Sequence, residues 1–345
     1  MNKVAVMSAK ERSDLFRETA NRKRLRAGLI EKDFWVCWSL ERLFTLPEKP
    51  ASMIFKGGTS LSKVFGAIGR FSEDVDLSLN REDLGFTGDK SPEQASSSNK
   101  AKRLIDELSV TCQQVIRETL LPEIERSFAT ILEESKVPWS VELDPADPQT
   151  INFAYPVSDE SSGTIRDGYV KPIVRLEIGA RSDHWPAEDH TVRSYAAEEF
   201  PSLFESPTAS VRTLSAERTF WEKATILHSF YHKPIESPLG SRQSRHYYDL
   251  AQLYNSPIGE SALKQQGLLA AVVQHKTLFF RSAWANYDTA APGTLRLIPP
   301  PERHREIGQD YDAMGEMMFG TPPSLEEILE ILRSAEQRIN DHVGR

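Results

Sequence analysis

The chain has 345 residues, 39% hydrophobic and 27% charged, enough for a sizeable core and too apolar for wholesale disorder. Its formal net charge of −8, from 42 Lys and Arg against 50 Asp and Glu, excludes a protein coated in basic charge for wrapping duplex DNA. The longest aliphatic run, Leu268–Val273, is far shorter than the ~20 residues a membrane helix needs. The N-terminus turns charged before a signal-peptide apolar region develops, so a cytoplasmic protein without membrane attachment is expected. Cys37 and Cys112 lack His or Cys neighbours at ligand spacing, which predicts two buried thiols rather than a disulfide or a zinc site.

Residues 8–27 read as a helix with Ser8 as N-cap and Glu11 at the capping-box position, ended by Gly28. A second helix runs from Leu29 to Phe44, with Phe34, Trp35, Trp38, Leu40 and Leu43 available for burial, and Pro47 and Pro50 close it. Met53-Ile54-Phe55 is a buried strand entering the tight turn Lys56-Gly57-Gly58. Thr59–Ile68 has helical spacing up to Gly69, and Phe71–Leu79 alternates as a strand, with Val75, Leu77 and Leu79 opposite Asp74, Asp76 and Ser78. Polar residues 85–102 read as a mobile loop, followed by a helix over 103–134 that Pro122 should break or kink. Tyr169–Ile178 is the best later strand, and 215–231, 246–254, 260–274 and 324–341 read as helices. Together these predict an α+β fold. It has a helical lead-in over 1–46, a mixed-sheet core over 47–214 and a largely helical domain over 215–345.

Asp74-Val75-Asp76 is the sharpest chemical feature. On a strand, residues i and i+2 share a face, so the two carboxylates can bind divalent oxygen-seeking cations as phosphoryl-transfer sites require. A bare DxD is more often an exposed polar strand face. Here Gly57-Gly58-Thr59-Ser60 precedes it, a glycine turn at a helix start that suits phosphate oxygens, flanked by Lys56 and Lys63. The competing explanation is a plain tight turn with a helix cap. The turn is no Walker loop, and Ser60-Leu61-Ser62-Lys63 lacks the companion motifs of penicillin-binding enzymes. Strand alternation nominates Glu177 as a third carboxylate, with pairing to Arg175 or Arg181 as the alternative.

Lys56–Leu61 and Arg70–Leu77 resemble the signature of the AbiEii/AbiGii nucleotidyltransferase toxins. Ile30-Glu31-Lys32-Asp33-Phe34-Trp35 is similar to the lead-in helix of that family. Glu217–Lys223 and Arg245–Leu250 are similar to its two later motifs, so the resemblance covers roughly residues 29–255. It implies a nucleotidyltransferase fold whose helical domain closes over the nucleotide. Gly57, Gly58, Thr59 and Ser60 would hold the β/γ-phosphates with Lys63, and Asp74 and Asp76 would bind Mg²⁺, with Mn²⁺ as the alternative. Lys223 and Asp249 would be required for activity, Lys223 at the triphosphate, and Glu177 would position or deprotonate the nucleophile.

Without the resemblance, Lys223 would be a solvated helix lysine, Asp249 a surface ion pair with Arg245, and His246 a satisfied structural histidine. Tyr247 and Tyr248 suit core packing and base stacking equally. The implied partners are an NTP, an RNA acceptor (the tRNA 3′ end) and a cognate antitoxin. The competing functions are nucleotidylation of a protein hydroxyl, a non-catalytic binding module of the same fold, and a metal-dependent nuclease. Residues 1–30 carry eight Lys and Arg against three acids, densest at 21–26, which suits an RNA backbone or a solvated helix face.

Overall fold

The computed structural model describes residues 1–133, 137–158 and 171–341. Its contacts divide the chain into two compact units, Met1–Val64 with Ser72–Thr213, and Phe65–Phe71 with Leu214–Arg345.

In the first unit a single helical turn, α1 (Asn2–Ala5), precedes α2 (Ala9–Lys23). The capping box forms as the sequence predicts, with the Ser8 hydroxyl accepting from the Glu11 N–H and the Glu11 carboxylate accepting from the Ser8 N–H. The helix ends at Arg24, which takes the left-handed conformation expected of Gly28. Gly28 instead lies in the first turn of α3 (Ala27–Phe44). That helix is buried on nearly all sides, and Trp38 meets Phe128 and Phe153 at ring separations of 4.7 and 5.7 Å.

Strand β1 (Met53–Lys56) runs into α4 (Gly57–Lys63), and β2 (Val75–Leu79) follows with Val75, Leu77 and Leu79 buried. Helix α4 starts two residues before the predicted Thr59 and ends five before Ile68, and Gly66 turns the chain at φ +58°. Residues 85–97 hold two 3₁₀ turns, with Ser91 and Pro92 buried and Arg81 paired to Glu93, in place of the uniformly polar loop expected. Then come α5 (Ser98–Val115), a π-helical stretch over Ile116–Leu120, and α6 (Leu121–Leu132). Pro122 does not break the run, because it occupies the second position of α6, where a backbone N–H is dispensable.

The remaining strands are β3 (Ser140–Leu143), β4 (Thr150–Ala154), β5 (Ile173–Gly179), β6 (Ala187–Val192) and β7 (Ala209–Leu214), with the short α7 (Tyr195–Glu199) before β7. Residues 169 and 170 of the predicted strand lie outside the described residues. The seven strands form one mixed sheet in the order β3-β4-β5-β2-β1-β7-β6. β2 runs parallel to β5 and antiparallel to β1, and β1 runs parallel to β7. The predicted mixed sheet is thus observed.

The second unit is helical: α8 (Ala216–His232), α9 (Ser244–Tyr254), α10 (Pro257–Lys264), α11 (Gln266–Phe279), α12 (His304–Ala313) and α13 (Leu325–Asn340). The stretch predicted as one helix over 260–274 is two, divided at Gln265. Helix α12 escapes the sequence pattern because only Ile307 and Tyr311 are buried on it. Both cysteines are buried free thiols, as predicted. No helix among the described residues is long and apolar enough to cross a membrane.

Candidate active site

The carboxylates of the first unit are set by strand register. Lys56, Asp76 and Glu177 stand abreast on β1, β2 and β5. Asp74 lies two residues before Asp76, immediately ahead of the start of β2, and the Asp76 charge acts on its carboxyl. Gly57 has φ +78°, and a Cβ there would fall 2.0 Å from Asp76 Oδ2. The turn therefore demands glycine twice, for its backbone conformation and for the approach of the carboxylate.

Thr59 and Ser60 are fully buried, and their hydroxyls serve the protein. Thr59 donates to the Asp74 carbonyl at 2.5 Å and lies 2.9 Å from the Ser72 hydroxyl, while Ser60 donates to the Gly57 carbonyl at 2.8 Å. These two side chains brace the turn and Asp74, leaving the backbone of Gly57 and Gly58 as what the turn can present to a phosphate.

Burial, Glu73 and Asp76 together raise the Asp74 carboxyl above its ordinary pKa, against the opposing pull of Lys32 and Arg175. The Arg175 guanidinium lies 3.8 Å from Asp74, 3.5 Å from Glu177 and 3.3 Å from Asp144. Glu177 is thus both the neighbour of Asp76 in register and a partner of Arg175. Among the described residues no three His, Cys, Asp or Glu side chains converge as a metal cage. Two hard oxygen donors under mutual repulsion do fit a Mg²⁺ or Mn²⁺ ion whose other ligands come from phosphate oxygens and water.

Helix α3 braces this site with three consecutive charged residues, all buried. Glu31 accepts from the Ser158 N–H at 2.7 Å. Lys32 pairs with Glu73 at 2.5 Å and donates to the Lys171 carbonyl at 3.1 Å. Asp33 accepts from the Tyr195 N–H and from Lys63, both at 2.7 Å. The sequence reading placed Lys63 at the triphosphate. The structure turns its ammonium inward to Asp33 and over the Tyr195 ring at 3.8 Å, with the side chain 6% exposed. Burial disfavours that charge, but Asp33 outweighs it and holds Lys63 above its ordinary pKa. Lys63 is therefore a fastening of α4 to α3, and neither it nor Lys32 carried a local signal of its buried partner.

In the second unit Asp249 is fully buried. It accepts from Arg70 Nε at 2.7 Å, Arg70 Nη2 at 2.8 Å and Lys223 Nζ at 2.8 Å. Burial opposes the charge, yet Arg70 and Lys223 hold the carboxyl well below the usual range. Burial lowers the Lys223 pKa, with Asp249 resisting and Arg70 assisting. Asp249 is thus no surface partner of Arg245, and Lys223 does not reach out into solvent. Tyr247 and Tyr248 are buried core residues, and the buried His246 Nδ1 has no hydrogen-bond partner among the described residues.

Arg70 is the functional candidate that residue-level reading missed. It lies in the seven-residue stretch between α4 and β2 that belongs to the second unit. There the Phe71 N–H donates to the Met317 carbonyl and the Phe319 N–H to the Gly69 carbonyl. The structure thus gathers Gly57, Gly58, Asp74, Asp76 and Glu177 in one unit, and Lys223, Asp249 and Arg70 in the other. The basic run at 21–26 is partly neutralised, with Arg22 on Glu18 and Glu199 and Lys23 on Glu198 and Glu199.

Residues 38–333 match the family model described as nucleotidyl transferase AbiEii toxin, type IV TA system. No curated protein matches the chain. Among solved structures, MenT4, a nucleotidyltransferase toxin from Mycobacterium tuberculosis H37Rv, superposes with a TM-score of 0.53 at 14% identity. The match covers 94% of this chain and 89% of that one. The likeness at that identity is one of fold.

Proposed function

Since the chain belongs to the AbiEii family of nucleotidyl transferase toxins of type IV toxin–antitoxin systems, we propose that it transfers a nucleotide from an NTP to RNA, at the 3′ end of tRNA. The observation that carries this reading is the packing of Asp76 against the Gly57 turn, with Asp74 just before the start of β2 and close enough for the two charges to interact. The close approach of the Asp76 carboxylate to the glycine backbone supports a cation on the acids next to phosphate on the turn.

In the reaction, the acceptor hydroxyl oxygen bonds to the α-phosphorus while the bond to the departing pyrophosphate breaks. A divalent cation on Asp74 and Asp76 would neutralise triphosphate charge and ease loss of the hydroxyl proton. Gly57 and Gly58 admit the phosphates to the backbone, and Thr59 fixes Asp74 through its carbonyl. To Glu177, abreast of Asp76, we assign the role of positioning the hydroxyl or taking its proton. Lys223, oriented by Asp249, supplies positive charge for the phosphates. A nucleotide added to the tRNA 3′ end would block aminoacylation, and a cognate antitoxin would restrain this activity.

Purified protein with Mg²⁺ and each labelled NTP in turn, given total tRNA or cell lysate, tests the reading. Label at tRNA 3′ ends is the expected result. Label entering only protein would mean a protein hydroxyl is the acceptor, and shortened RNA ends would mean a nuclease.

A further inference from the structure

A positive charge stands among the acids of the sheet. Arg175 lies one strand period before Glu177 on β5 and abreast of Asn152 on β4. Its Nε is 3.8 Å from Asp74 and 3.5 Å from Glu177, and its Nη1 is 3.3 Å from Asp144. One guanidinium thus meets two acids given roles in the reaction above and a third, Asp144, that has none.

The two sides of that guanidinium are built differently. Asp144 is fixed by other groups: its carboxylate accepts from the Ala146 N–H at 2.9 Å and from the Asn152 amide at 3.1 Å. Toward Asp74 and Glu177 the separations exceed the roughly 2.7–2.9 Å of a charge-assisted hydrogen bond. The Arg175 side chain is 41% exposed, and solvent weakens such pairs. Arg70, by contrast, meets Asp249 at 2.7 and 2.8 Å with both side chains buried. Arg70 is fastened to its acid, whereas Arg175 leans on Asp74 and Glu177 and is anchored at Asp144.

We propose that Arg175 is an exchangeable counter-cation of the catalytic acids, lying between Asp74 and Glu177 through Nε and drawn onto Asp144 when a divalent cation takes those carboxylates. The proposal rests on the reading above for the identity of the ion and on these distances for the exchange. A divalent ion brings twice the charge of the guanidinium and approaches carboxylate oxygens at about 2.1 Å, so it displaces the looser contact. Asp144, oriented by Asn152 and the Ala146 N–H, keeps the displaced guanidinium paired. Arg175 is therefore a positioning residue that sets how much divalent cation the protein requires.

Binding of Mn²⁺ to the full chain, read as free Mn²⁺ by electron paramagnetic resonance, tests the exchange with neither nucleotide nor turnover. Asp74→Asn should lose the binding, which places the ion. Arg175→Met should bind Mn²⁺ about threefold or more tighter than the wild type, and Arg175→Lys should stay closer to the wild type. Unfolding temperatures should not change, because the side chain is half-exposed. Asp144→Asn should weaken Mn²⁺ binding severalfold alone and leave it unaltered in the Arg175→Met background, because Asp144 acts through the guanidinium. Equal affinity in Arg175→Met overturns the exchange, as does binding retained in Asp74→Asn or absent from the wild type. Additive effects of the Arg175 and Asp144 substitutions also overturn it, since they would reduce Arg175 to part of a diffuse field. Weaker tripolyphosphate binding in EDTA by Arg175→Met, with Mn²⁺ affinity unchanged, would make it a phosphate contact instead. If the exchange behaves as expected while no NTP is incorporated into any acceptor, Arg175 keeps this role and the nucleotidyl-transfer reading fails.

Discussion

The two units of the molecule carry opposite electrostatic problems. At the start of β2, Glu73 and Asp76 crowd Asp74, with Lys32 and Arg175 opposing their repulsion. In the helical unit one carboxylate, Asp249, accepts from Arg70 and Lys223, which hold it charged against its burial. The first arrangement leaves its acids crowded, whereas in the second the acid is held charged by its own cations. The contrast also separates function from folding. Burial and like-charged neighbours disfavour the Asp74 carboxylate in the fold, whereas the Asp249 carboxylate is held charged by buried partners.

That contrast can be broken most sharply by removing one acid from each unit. Asp74→Asn is expected to lower nucleotide incorporation by about a thousandfold or more, by loss of a cation ligand, while the unfolding temperature holds or rises. Asp249→Ala should lose activity and about 3–5 kcal/mol of stability in chemical denaturation, because two buried cations are stranded. If Asp249→Ala proves as stable as the wild type, the network holds nothing together and the contrast fails. Lys63→Met sharpens the assignment of that lysine. It should cost about 3–5 kcal/mol by leaving Asp33 buried and unpaired, and Asp33→Asn should mimic it if Lys63 is structural. A variant that folds normally and loses only NTP affinity would return Lys63 to the phosphates.

Gly57→Ala comes next in size. Its left-handed φ costs about 1–2 kcal/mol, and its Cβ displaces the Asp76 carboxylate, so the Mg²⁺ concentration needed for half-maximal activity should rise. The pH dependence follows from Asp249, whose folded pKa Arg70 and Lys223 hold, against burial, below the ordinary aspartate value of about 3.9. Its contribution is fully present above that value and is lost as pH falls below it, since the unfolded chain then binds a proton that the folded one does not. Acid denaturation curves of the wild type and Asp249→Ala should therefore converge below about pH 4. The smallest effect belongs to the basic run: Lys23→Ala should change stability by less than about 1 kcal/mol, because its pairs with Glu198 and Glu199 are solvent-exposed.

Legibility in the sequence tracked the range of the interaction. Capping at Ser8 depends on a neighbour three residues away and is present as read, while the strand read over Phe71–Leu79 is shorter, Val75–Leu79, with its apolar alternation kept and Asp74 before its start. The inward turn of Lys63 depends on Asp33 in another helix, and the burial of Asp249 depends on Arg70, 179 positions away. Neither partner can be inferred from local pattern, because a lysine or aspartate beside polar residues looks solvated until the packing is known. The left-handed stop at Arg24 escaped the pattern because glycine is the usual residue in that conformation.

The sequence alone determined that this chain carries a glycine turn followed by a paired-carboxylate strand and two later charged motifs, because period and spacing are local properties of the backbone. Tertiary structure decided which of those charges face a substrate and which are spent on one another. It made Lys63, Thr59 and Ser60 internal fastenings and brought Arg70 to Asp249, because ion pairing inside a protein is settled by long-range packing and by the cost of burying a charge alone.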